Sequence, residues 1–123
     1  MRKMSKELSR FSDLLGHTLT NIENKENREL VFTLGTGEKY RLYHQQDCCE
    51  DVFIEDVVGD LVDLINSPLI MAEEVSNRGD EGVDTSSTWT FYKLATMRGY
   101  VTVRWYGESS GYYSESVDWG RAK

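Results

Sequence analysis

The side chains best equipped for chemistry stand together at His44, Gln45, Gln46, Asp47, Cys48, Cys49 and Glu50. An imidazole with one or two thiolates is half of a common zinc ligand set. The other half is missing: His17 is the only other histidine, and the two cysteines are adjacent rather than spaced as a CxxC pair. The expectation is no metal and no cofactor. A cysteine nucleophile served by His44 is the second chemistry the string suggests. Asp47, Glu50 and Asp51 oppose it, because neighbouring carboxylates raise a thiol pKa. Adjacent cysteines do not easily meet ordinary disulfide geometry, so Cys48 and Cys49 are expected as reduced thiols, packed as small hydrophobes where a strand begins, with Asp47 capping the turn.

Paired carboxylates recur at Glu50-Asp51, Glu55-Asp56 and Glu73-Glu74, but in a chain with 21 acidic residues their spacing selects none of them. No glycine pattern forms a phosphate-binding fingerprint, and Gly35-Thr36-Gly37 reads as a hairpin turn. The richest constellation is aromatic and cationic: Trp89, Phe91, Tyr92, Lys93, Arg98, Arg104, Trp105, Tyr106, Tyr112 and Tyr113 fall on consecutive predicted strands. Aromatic faces stack on bases and Arg or Lys neutralises phosphate, which is the chemistry of a nucleotide pocket. Ordinary sheet packing accounts for the same residues, with Arg104 reaching an acid such as Glu115 across the strands.

The elements that must position these residues are mostly strands. Ser5 can cap a helix carrying Leu8, Phe11, Leu14 and Leu15, ended by Gly16. Thr18 to Glu23, Glu29 to Leu34 and Lys39 to His44 read as a meander. Asp51 to Val57 is a fourth strand, Gly59 to Asn66 a short helix, Leu69 to Val75 a strand, and Ser76 to Ser86 a loop. Thr88 to Thr96, Tyr100 to Tyr106 and Tyr112 to Trp119 read as consecutive hairpins. Val101, Val103 and Trp105 share one face of their strand, with Tyr100, Thr102, Arg104 and Tyr106 on the other. The predicted fold is a single α+β domain over residues 1–123: one antiparallel sheet of about seven or eight strands, an N-terminal helix and a second short helix.

A chain of 123 residues can bury a core without disulfide support. Its net charge of −7 opposes docking on DNA or RNA, where each phosphate contact needs a cation. The N-terminus has no continuous apolar signal core, and no stretch is apolar enough to span a bilayer. A cytoplasmic location without a membrane partner is expected.

The segment His44 to Asp60, with Ala72 to Val75, Thr88 to Tyr92 and Arg104 to Glu115, resembles a family of small phage and prophage proteins of unknown function. That family in turn resembles the Thoeris anti-defence sponges, which sequester cyclic ADP-ribose-type signals. The resemblance implies a phage-encoded, non-catalytic homo-oligomer that sequesters a small nucleotide signal such as a cyclic ADP-ribose isomer. It gives His44, Gln46, Asp47, Cys48, Cys49 and Glu50 as a family motif without a role. The competing expectation is an acidic inhibitor that docks on a host or phage protein, and a third is an enzyme using His44 with Cys48 or Cys49.

Overall fold

Alternation of buried and outward side chains, the mark of a sheet with one wet face, runs through most of the chain. The computed structural model describes residues 7–79, 85–111 and 113–122. Among them are eight strands: β1 (Leu19–Lys25), β2 (Glu29–Leu34), β3 (Lys39–Tyr43), β4 (Asp51–Val58), β5 (Met71–Arg78), β6 (Ser86–Thr96), β7 (Gly99–Ser109) and β8 (Asp118–Arg121).

These strands form two four-stranded antiparallel sheets, in the orders β1-β2-β3-β8 and β4-β7-β6-β5. The expectation of one α+β sheet is therefore corrected to an all-β architecture of two sheets. The meander of β1, β2 and β3 is present as read, and β6 and β7 form a hairpin. The last strand departs from the reading. It begins at Asp118 rather than Tyr112, and it pairs with β3 instead of β7, placing Leu42 opposite Trp119. Of the expected loop from Ser76 to Ser86, residues 76–78 extend β5 and Ser86 opens β6, while residues 80–84 lie outside the described residues.

Neither expected helix forms among the described residues. Phe11–Leu14 and Leu61–Leu64 are single 3₁₀ turns. The apolar spacing explains this: Leu8, Phe11 and Leu14 recur every third residue, as do Leu61 and Leu64, which matches the three-residue period of a 3₁₀ turn as well as an α-helix. The first turn is held by Asp13, whose carboxylate accepts from the Ser9 and Arg10 backbone N–H groups at 3.0 and 3.2 Å. Ser5, the expected cap, lies outside the described residues. Leu15, expected on the packed face, is 55% exposed.

One hydrophobic core draws on both sheets: Leu30, Phe32, Tyr40 and Leu42 from the first, with Val52, Tyr92, Leu94, Val101, Val103 and Trp105 from the second. Phe11 joins the layers, its ring lying 6.1 Å from Phe32, 4.7 Å from Tyr92 and 5.8 Å from Trp119. Val101, Val103 and Trp105 face this core as expected.

Candidate functional site

The string from His44 to Glu50 folds as a tight polar loop around one buried carboxylate. Glu50 is 4% exposed. Its oxygens accept from His44 Nε2 at 2.7 Å and from the backbone N–H groups of Asp47 and Cys48 at 2.8 and 2.9 Å. Burial pushes the Glu50 carboxyl up, but the hydrogen bonds from His44, Cys48 and Asp47 outweigh it and hold the group at about 2. His44 Nδ1 faces the Ser116 carbonyl at 2.8 Å, so each ring nitrogen stands at an acceptor oxygen. Gln46 closes the loop, donating from Nε2 to the Glu50 carbonyl at 2.7 Å.

The cysteines correct the expectation of reduced, packed thiols. Their sulfurs are joined as a disulfide between neighbours, and both residues are exposed. The packing argument fails because Val52, not the cysteines, is the first side chain of β4 to enter the core. Among the described residues no group of three or more His, Cys, Asp or Glu side chains is placed to hold a metal.

The aromatic and cationic residues do not gather into one pocket. Trp105 is 1% exposed, and its indole lies in the core, where it can stack on no ligand. Arg98 sits in the turn between β6 and β7, and the seven strand steps from Trp89 to Thr96 (96 − 89) alone hold it off by about 23 Å at roughly 3.3 Å per residue. Tyr112 lies outside the described residues. Trp89, Phe91, Lys93, Arg104 and Tyr106 do share the outward face of the second sheet, half-buried. There the Trp89 and Tyr106 rings are 5.0 Å apart, and Phe53 stands 5.8 Å from Tyr106. Arg104 on this face is answered by acids. Arg104 Nε lies 2.7 Å from Glu55 and its Nη2 3.9 Å from Asp56, not near Glu115, and Lys93 is directly opposite Glu73 on β5.

A polar cleft of about 300 Å³, which sequence reasoning missed, opens on the other face of the same sheet, where its strands run past the core. Along β6 the core-facing positions change from Leu94 and Tyr92 to Thr90, Thr88 and Ser86. The far wall is residues 113–117, folded back over β7. Gly107 permits that approach, since a Cβ there would lie 2.8 Å from the Glu115 carbonyl oxygen. The Glu115 carboxylate accepts from Ser109 at 2.5 Å and Thr88 at 2.7 Å. Burial raises its pKa, but hydrogen bonds from Ser109, Thr88 and Ser86 prevail and hold it below the ordinary value. Across the cleft Glu74 accepts from the Tyr92 hydroxyl at 2.8 Å. The signal that could have located the cleft is the run of hydroxyl residues at alternate positions of a strand whose other half is apolar.

The His44 loop braces this wall. His44 holds Ser116, and the Gln45 backbone N–H donates to Asp118 at 2.9 Å. All four segments that carry the resemblance therefore converge here: His44 in support, with Glu74, Thr88 and Thr90, and Ser114 and Glu115 lining the cleft.

Fold and site together define a small two-sheet β-domain with a polar cleft at one end of its second sheet. Residues 12–119 match a family described as a domain of unknown function, DUF7448, and the chain belongs to that family. No curated protein and no solved structure matches it. No helix among the described residues is long and apolar enough to cross a membrane.

Proposed function

We propose that this chain is a non-catalytic binding protein that sequesters a small ligand in the cleft between β5–β6 and residues 113–117. The observation that carries this reading is the convergence of four separate sequence segments on that cleft. Its hydroxyl groups are fixed by hydrogen bonds before any ligand arrives, which lowers the ordering cost of binding. Binding without turnover fits the chemistry of the His44 loop. Both imidazole nitrogens, both Glu50 oxygens and both sulfurs already have partners, leaving no free base or thiol to act. The resemblance to phage and prophage proteins supports placing this activity in the cytoplasm of an infected cell, with a cyclic ADP-ribose isomer or related immune signal as ligand and a homo-oligomer as the binding form.

The test is to purify the protein from cells making such a signal, unfold it by heat and analyse the released small molecules by mass spectrometry. A fixed molar ratio of one nucleotide-type compound, absent from Glu115→Gln, is the expected result. An empty protein at every stage would sink the reading.

A second reading, an inhibitor that docks on another protein, is favoured by the outward face of the second sheet. Trp89, Tyr106 and Phe53 form a half-exposed aromatic row beside Arg104, and interfaces concentrate their binding energy in such residues. The acids Glu55, Asp56 and Glu73 suit a basic partner. Retention of one protein at fixed stoichiometry, lost on Trp89→Ala and kept in Glu115→Gln, would select this reading instead.

A further inference from the structure

The cleft's chemistry discriminates among small ligands, and we infer that it recognises the hydroxyl groups of a sugar, such as the ribose of a nucleoside, and not a phosphate. This inference rests on the reading of the cleft as a ligand site.

Among the described residues two carboxylates face the cleft, Glu74 and Glu115, against one cation, Arg78. The formal charge of these three groups is thus −1 (one cation less two carboxylates), which opposes a phosphate dianion. Each carboxylate can accept about four hydrogen bonds. Glu74 receives one from Tyr92, and Glu115 receives three, from Ser109, Thr88 and Ser86. Acceptor capacity remains at both, and adjacent ligand hydroxyls are the uncharged donors that fill it. Ser76, Thr88 and Thr90 add groups that donate or accept as the ligand requires. The Ser76 hydroxyl meets that of Thr90 at 3.4 Å, so this wall is already organised. Tyr113 supplies an aromatic ring to the same cleft, where a sugar's C–H face can lie against it. A nucleotide would enter sugar first, leaving its phosphates in solvent at the mouth.

Saturation-transfer NMR on the full chain tests this, with D-ribose, adenosine, D-glucose and spermidine as separate probes, and inorganic phosphate, which carries no carbon-bound proton, is followed by the broadening of its phosphorus resonance. The expected result is transfer to the ring protons of ribose or glucose and to the ribose protons of adenosine, with little response from phosphate or spermidine. Glu74→Gln and Tyr113→Ala lie outside the core cluster, and each should weaken sugar binding at least tenfold. If phosphate or spermidine alone responds, or if sugar binding survives both substitutions, the sugar inference is wrong while a ligand site remains. Silence from every probe overturns the inference, and an empty protein in the heat-release experiment separately overturns the site.

Discussion

His44 donates from Nδ1 to the Ser116 carbonyl oxygen at 2.8 Å, across 72 residues of sequence, and so ties the polar loop before β4 to the wall of the cleft. The other ring nitrogen reaches Glu50 at 2.7 Å. One imidazole thus couples the buried carboxylate to the segment that shapes the site, and acid, mutation and ligand should act on it together.

The Glu50 carboxyl titrates near 4.5 in the unfolded chain and near 2 in the folded one. Because the folded value is depressed, the unfolded state takes up the proton first as pH falls. Stability from this group is complete above about 4.5, declines below it and is gone below about 2. Urea midpoints measured across that window should show a steeper acid limb for the native protein than for Glu50→Gln. Equal limbs would mean that the carboxylate is not held as described.

Cys48 serves Glu50 through its backbone N–H, at 2.9 Å, and both cysteine side chains are exposed. The double substitution Cys48→Ser with Cys49→Ser should keep the acid limb and change stability by no more than about 0.5 kcal/mol. Loss of folding in that variant would assign the sulfurs a structural role beyond the loop's hydrogen bonds.

Phe11 is 2% exposed and touches aromatic rings from both sheets. Phe11→Ala should cost about 3–5 kcal/mol, read as a lowered denaturation midpoint with the slope unchanged. A cost near zero would show that the sheets close without it.

Gly59 has φ +106°, and a Cβ there would stand 2.5 Å from the Tyr100 carbonyl oxygen. Strain and collision act in the same direction, so Gly59→Ala should destabilise by roughly 1–3 kcal/mol. Thermal unfolding followed by circular dichroism measures it, and an unchanged midpoint would place the end of β4 differently.

Local pattern was enough to locate most strands, because a two-residue period is written into neighbouring positions. Val101, Val103 and Trp105 could be assigned to one buried face from their spacing alone. The same locality misled at Leu8, Phe11 and Leu14, where a three-residue spacing serves an α-helix and a 3₁₀ turn equally and the tertiary contacts of Phe11 go with the shorter form. Spacing also marked Trp89, Phe91, Arg104 and Tyr106 as sharing a chemistry, yet it could not show that acids from β4 already answer Arg104. That β8 leaves its hairpin neighbour to pair with β3, and that Glu74, Thr88 and Glu115 meet around one cleft braced by His44, are decisions of the tertiary structure. They rest on hydrogen bonds between residues tens of positions apart, which only the closing of the two sheets brings within reach.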